Sequence, residues 1–448
     1  MAAPRGPFPK FPKWLLIGAV SVFALGWFMG IAASLYAVHH EPKVSELDTQ
    51  LAGVGQPDAA KQPTTGAIAP SPAATETPCW NAYGRTSGRT SDGGNLDHGA
   101  PKMLTWQMRV GLMEFPPSYC DGVLYVNSQG GHTTAIDAAR KRVIWRRVTA
   151  QTYDSTPAIS GARIFVASFQ PGDIQALDRR TGATLWKLRA GGSVESSPVV
   201  VDGIVYAASS DRRVYALDEA TGRVVWAFRA GAAIKDSPSV VNGLVYFGDY
   251  AGEVFALHAA TGKLKWKRSF GGIRGDRIYS SIAVEGGRAY FGTVRGKLYA
   301  LRAATGRTVW EESIAGYVYA TPAVSAGTVV FANYPGSVFA FDTRTGRRLW
   351  SRNVGGSISG SPTVIGDLAY VSTLSTKRTF ALSMKTGRIG WQIRGGKYVT
   401  GIATDRAIYL SLGSVLSRWT SAASEARYGA PGSRNRVGAA AAEKTAFG

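Results

Sequence analysis

Between about residues 80 and 420 apolar and polar residues alternate with a period of two over short stretches, as in Val214-Tyr-Ala-Leu-Asp218, which predicts half-buried β-strands. The stretches belong to a longer pattern. Eleven residues, Ala216-Leu-Asp218-Glu-Ala-Thr221-Gly222-Arg-Val-Val-Trp226, recur in seven copies, the others running from Ala135 to Trp145, Ala176 to Trp186, Ala256 to Trp266, Ala300 to Trp310, Ala340 to Trp350 and Ala381 to Trp391. Their tryptophans fall 41, 40, 40, 44, 40 and 41 residues apart. A period of that size, with several short strands inside it, predicts an all-β propeller with one four-stranded blade per repeat.

Each part of the motif has a physical task. Thr221-Gly222 turns the chain, because glycine takes positive φ without steric cost. Trp226 offers a large flat ring to fill the wedge between neighbouring sheets, so the tryptophans are read as structural docking residues and not as stacking platforms for a ligand. An eighth, Trp106, ends Met103-Leu-Thr-Trp106, a last strand whose first half is missing. The missing half is expected at the other end of the chain, where Gly401 to Leu410 and Val415 to Trp419 supply three strands. Seven whole blades and one split blade predict an eight-bladed ring over 79–420, closed by pairing the two chain ends.

The flanks differ in character. Residues 1–13 carry Arg5, Lys10 and Lys13 and no acid, and Trp14 to Val38 is a run of 25 residues without a charged side chain. The expectation is a cytoplasmic tail, then an uncleaved signal-anchor at 14–38 spanning the cytoplasmic membrane once, N-terminus inside and propeller outside. A cleaved signal peptide is the competing reading. Residues 39–78 hold six prolines and no aromatic residue, which reads as a tether. The Ala/Gly/Ser/Arg-rich stretch 421–448 reads as a disordered tail.

The chain has 448 residues, 54 of them glycine, with 18% charged residues and a formal net charge of +21. Such a balance suits an anionic lipid, wall polymer or nucleic acid as neighbour, and the expected topology removes the last. Cys79 and Cys120 are the only cysteines. Either they pair, pinning the lead-in segment to the first blade, or they remain separate thiols; spacing alone does not choose.

Up-and-down strand order places the Asp/Asn-Gly turns (Asp202-Gly203, Asn242-Gly243) and the Thr-Gly turns on one face. That face is crowded by Arg223, Lys263, Arg307, Arg347, Arg348 and Arg388, a solvated rim unless anionic lipid or polymer meets it. Loops leading from each tryptophan to a Ser/Thr-Pro start (Ser197-Pro198, Ser237-Pro238, Thr321-Pro322, Ser361-Pro362) converge on the channel at the opposite face. Three residues ahead of the proline position, successive blades offer Glu114, Asp154, Glu195, Lys235, Tyr279, Tyr319, Ser359 and Val399. The longest loop adds Arg274, Asp276 and Arg277. These are the candidate binding residues, since loop tips on rigid scaffolds carry function.

The pattern Ala-x-Asp-x-x-Thr-Gly-x-x-x-Trp resembles the tryptophan-docking repeat of PQQ-like propellers, which comprise quinoprotein dehydrogenases and non-catalytic relatives of the BamB type. The resemblance implies either a scaffold that binds a protein or an anionic envelope polymer, or a dehydrogenase using PQQ and calcium. Two departures separate these. The dehydrogenases typically carry an adjacent cysteine pair and a calcium held by Glu and Asn, whereas these cysteines are 41 positions apart. BamB-type proteins are lipoproteins with a cysteine at the cleavage site, and residues 30–40 contain none. His39, His40, His98, His132 and His258 show no metal-ligand spacing, and no nucleophile elbow or phosphate loop is present. The expectation is therefore a non-catalytic binding scaffold without cofactor or metal, with the quinoprotein dehydrogenase as the alternative.

Overall fold

Alternating β-branched and aromatic residues form thirty-two strands among the described residues, and all of them belong to four-stranded antiparallel sheets. The computed structural model describes residues 79–93, 99–152, 155–271 and 276–421. The expected tail, membrane anchor and tether at 1–78, and the tail from 422, lie outside the described residues. No helix among the described residues is long and apolar enough to cross a membrane.

Seven blades are continuous in sequence, at 118–148, 158–189, 199–229, 239–269, 283–313, 323–353 and 363–394. The third is typical, with strands Val199–Val201, Ile204–Ala208, Arg213–Asp218 and Val224–Arg229. Its second and third strands are almost wholly buried, and the short first strand lines the channel beside the first strands of its neighbours. The eighth blade is composite. Gly401–Ala403, Ile408–Leu412 and Val415–Ser421 are completed by Pro101–Arg109, which pairs antiparallel with the last of them from Met103↔Thr420 to Arg109↔Val415. The ring so closed is the eight-bladed propeller that the repeat count predicts.

The structure explains the motif position by position. The motif alanine sits directly opposite the tryptophan on the adjacent strand (Ala216↔Trp226, Ala256↔Trp266), and a β-bulge follows at once. In the second, third and sixth blades the motif aspartate's Oδ1 accepts both the threonine N–H and hydroxyl, at 2.8 and 2.7 Å for Asp218 and Thr221. The glycine has two reasons to be glycine. It adopts positive φ, and a Cβ there would enter the indole of the preceding blade: at Gly222 (φ +71°) it would lie 2.5 Å from Trp186, and at Gly262 (φ +68°) 2.7 Å from Trp226. Only the first copy departs, placing Lys141 at φ +55°.

The indole also reaches forward. Trp226 Nε1 donates to Ala259 O of the next blade at 2.8 Å, and Trp106, Trp145, Trp186, Trp266, Trp310 and Trp350 make the same bond at 2.7–3.0 Å. Trp391 meets the edge of Trp419 instead, because the composite blade has no motif turn to receive it.

Trp226→Ala is expected to lower the unfolding free energy by about 3–5 kcal/mol through the lost wedge. Trp226→Phe keeps most of the ring and should cost about 1 kcal/mol, because Tyr206 Oη also donates to Ala259 O. Gly262→Ala should approach the cost of the tryptophan deletion, and denaturant unfolding followed by circular dichroism ranks the three variants.

Candidate functional site

Backbone groups on the innermost strands face the channel and need partners. Residues 79–93 supply them. Cys79 is disulfide-bonded to Cys120 (Cα–Cα 4.5 Å), and Trp80 exchanges two 2.8 Å backbone bonds with Tyr119 of the first blade. The segment then winds round the channel. Asn81 O accepts Ile159 N–H of the second blade, Ser87 O accepts Val240 N–H of the fourth, and Gly88, Thr90 and Ser91 serve Val284, Val324 and Val364 of the fifth to seventh. Gly88 permits the approach, since a Cβ there would lie 2.4 Å from Val284 O.

Arg89 locks this plug in place. It is wholly buried, donating Nε to Pro238 O, Nη1 to Tyr83 O and Nη2 to Ser197 O at 2.7–2.9 Å, and burial lowers its pKa to about 10. It remains a cation at neutral pH. The plug closes the middle of the channel, leaving a funnel on the loop face.

A belt of hydroxyls forms the funnel neck. Thr156 N–H donates to Ser197 Oγ, Ser197 N–H to Ser237 Oγ, Ser237 N–H to Ser281 Oγ, Ser281 N–H to Thr321 Oγ1 and Thr321 N–H to Ser361 Oγ, each at 2.9–3.0 Å. The Ser/Thr of the Ser/Thr-Pro signature thus caps the preceding blade. Tyr83 of the plug joins the belt, its hydroxyl 3.2 Å from Thr321 Oγ1 and 2.6 Å from Ser361 Oγ.

Above the belt lies a cavity of about 390 Å³. Its wall includes Glu114, Glu195, Lys235, Tyr279, Tyr319, Ser359 and Val399, and Trp80 and Tyr83 form part of its floor. Repetition of one chain path brings these sequence-distant residues together. Asp154 and Arg274 lie outside the described residues. Asp276 does not line the funnel: it is buried, and its Oδ1 accepts Arg295 N–H at 3.0 Å, a loop-stabilising role. Arg277 is exposed and directs Nη1 at Tyr279 Oη, 3.4 Å away.

Three lip residues have no counterpart in the sequence-derived ring. Tyr250, Tyr317 and Tyr334 join Tyr279 and Tyr319 in a chain of ring contacts, with centroids 4.7 Å apart for Tyr250–Tyr279, 5.4 Å for Tyr279–Tyr319 and 5.6 Å for Tyr319–Tyr334. Burial raises the pKa of Tyr250 and Tyr319, so both stay phenolic at neutral pH. Tyr317 and Tyr334 are exposed. The signal that could have found them is an aromatic at the hairpin tip between second and third strands, and in the loop before the belt.

Among the described residues, the carboxylates around the funnel each hold a partner. Glu195 pairs with Lys235, Glu114 accepts from Gln129 Nε2, and Asp236 Oδ2 accepts Gly248 N–H at 2.8 Å. Calcium asks for six to eight oxygens, and the partnered carboxylates among the described residues do not fit that cage. Among the described residues the one acidic or thiol cluster of metal-binding size is Cys79, Cys120 and Asp121, whose sulfurs are spent in the disulfide. Asp236 is itself unusual, being 2% exposed with Oδ1 unbonded, and burial pushes its carboxyl well above the usual range.

A family model described as outer membrane protein assembly factor BamB matches residues 95–173 and 170–393. A curated relative of that name from Nitrosomonas eutropha is 29% identical over 119 residues, 26% of this chain and 29% of its own length. The match thus spans less than a third of that relative. Among solved structures, BamB from Moraxella catarrhalis superposes with a TM-score of 0.62 at 19% identity, covering 71% of this chain and 97% of that one. A europium-containing methanol dehydrogenase gives 0.63 at 16% identity over 75% and 90% of the two chains. A quinohemoprotein alcohol dehydrogenase from Comamonas testosteroni gives 0.65 at 14% identity over 77% and 81%. At these identities the structural likeness speaks for the fold alone.

Asp236 stands where the second, third and fifth blades have Ser155, Ser196 and Ser280. Its pKa is higher folded than unfolded, so its contribution to stability is present at acid pH and lost as pH rises through the folded-state value. Asp236→Ser should therefore raise the unfolding free energy at pH 8 by about 1–3 kcal/mol and change it little near pH 4. Urea unfolding at the two pH values checks this.

Proposed function

Because the chain belongs to the family of outer membrane protein assembly factor BamB, a family of PQQ-like β-propellers, we propose that it is a non-catalytic scaffold whose loop face docks a partner protein. The observation that carries this reading is the tyrosine lip. Five tyrosines are linked by successive ring contacts, two of them exposed and two, Tyr279 and Tyr319, lining a concave funnel on a rigid ring. Large amphipathic rings with little conformational entropy to lose are the usual anchors of protein interfaces. The paired Glu195 and Lys235, on the two loops that precede Tyr279 around the ring, would set orientation more than affinity.

A PQQ-dependent dehydrogenase is the second reading, supported by the shared fold of the two dehydrogenases. The plug and the partnered carboxylates weigh against it. We further read Trp14 to Val38 as the anchor that holds the propeller outside the cytoplasmic membrane, on the strength of its 25 uncharged residues.

A photo-crosslinking residue at position 317 or 334, introduced into the full chain in its native membrane, is expected to capture one recurrent protein. The same residue at position 225, on the outer strand of the third blade, should not. Tyr317→Ser combined with Tyr334→Ser should weaken binding of that partner by about thirtyfold or more, a two-anchor loss. Stoichiometric binding of PQQ with calcium, followed by alcohol oxidation, would instead establish the dehydrogenase.

A further inference from the structure

The Thr-Gly face is chemically lopsided. On the first three blades the motif turns keep carboxylates, Asp137, Asp178, Asp218 and Glu219, and two of their cations are paired, Arg140 with Asp137 and Arg179 with Asp121, both at 2.9 Å. From the fourth to the seventh blade the balance changes. The motif aspartate is replaced by His258, Arg302 and Ser383, so the four turns hold a single carboxylate, Asp342. Against it stand Lys263, Arg302, Arg307, Arg347, Lys385 and Arg388, all exposed and, among the described residues, none within ion-pair distance of an acid.

Two further observations concern the same face. Exposed aliphatic residues stand at the foot of the outer strands all round this face, Leu264, Leu349 and Ile389 beside the cationic turns and Val143, Leu185 and Val225 on the first three blades, so the charge alone distinguishes the sector. Exposed aliphatics interleaved with cations suit the boundary between headgroups and acyl chains, and a soluble polyanion would have no use for them. The chain upstream of the propeller also joins it here, because Cys79 is bonded to Cys120, next to the Asp121-Gly122 turn of this face.

We propose that the Thr-Gly face of the fourth to seventh blades is a docking surface for an anionic phospholipid bilayer. Lysine and arginine would engage the phosphates, and Leu264, Leu349 and Ile389 would enter the interfacial layer. The propeller would then lie with its funnel and tyrosine lip directed away from the lipid. The inference does not depend on the protein-docking reading, since it concerns the opposite face.

The test uses the full chain in nanodiscs of phosphatidylcholine alone or with about one third phosphatidylglycerol, read by hydrogen–deuterium exchange. On the anionic discs, peptides covering 258–264, 302–308, 343–349 and 384–390 should exchange at least about threefold more slowly, with no change in the turns of the first three blades. About 0.5 M salt should abolish the difference. So should the combined Lys263→Glu, Arg307→Glu, Arg347→Glu and Arg388→Glu variant, whose circular dichroism confirms folding; if it fails to fold, Lys263→Glu and Arg388→Glu are read singly. Equal protection on both lipids, no protection on either, or protection by soluble polyphosphate where the anionic discs give none would each overturn the proposal.

Discussion

An indole lying on a glycine of the next repeat sets the geometry of the ring. The contact joins two requirements at one point, a glycine that turns with positive φ and an aromatic ring that tolerates no Cβ above it. Neither element works without the other. A residue with a side chain at Gly222 would displace Trp186, and a smaller residue at Trp186 would leave the turn unsupported. The forward bond from Nε1 to the adjacent backbone carbonyl then fixes the rotation between blades. The glycine contact repeats from Trp145 to Trp350 and the Nε1 bond from Trp106 to Trp350, and the composite blade, lacking a motif turn, substitutes the Trp391–Trp419 edge contact.

Closing a propeller creates a second problem at its centre. The innermost strands have one side paired within the blade and the other facing the channel, so their outward N–H groups need acceptors. Residues 79–93 meet that need with backbone carbonyls delivered in turn to successive blades, and Arg89 returns the service by satisfying carbonyls of Pro238 and Ser197. The plug is therefore part of the fold. Its functional consequence is that the channel is a blind funnel, whose floor carries Trp80 and Tyr83 and whose wall carries the loop residues.

The blade count and the split blade were legible because they rest on spacing, which survives the absence of any three-dimensional information. Met103 to Trp106 had to find an edge, and the chain end offered three strands in want of a fourth. The ring containing Glu195, Lys235 and Tyr279 could be listed in register because each repeat traces the same path to the channel. The plug was not legible. Its bonds are made by backbone atoms, and its Gly/Ser/Thr/Arg composition is equally that of a surface linker. Tyr250 and Tyr334 escaped notice because they lie on hairpin tips outside the ring positions, and the place of Asp276 was not legible because a loop carboxylate that accepts a backbone N–H has the same sequence signature as one that faces the funnel.

The charge on the Thr-Gly face is separable from the fold, and this gives it meaning. In every complete motif turn the glycine N–H returns to the carbonyl of the motif position, at 2.9 Å to Asp218, 2.8 Å to His258, 2.8 Å to Arg302 and 2.8 Å to Ser383. That bond uses backbone atoms only, so the turn persists whatever side chain precedes it. Where aspartate is lost, the threonine N–H falls back on the same carbonyl, at 3.2 Å in the fourth blade and 3.1 Å in the fifth. The aspartate adds a side-chain cap but is not required for the turn. Tryptophan and glycine, by contrast, stay in place throughout the second to seventh blades. Packing thus fixes those two positions and leaves the aspartate free to vary. A positive sector over these four turns, made by dropping the optional carboxylate in three of them while keeping a cation after the glycine in all four, is not dictated by the packing that fixes the fold.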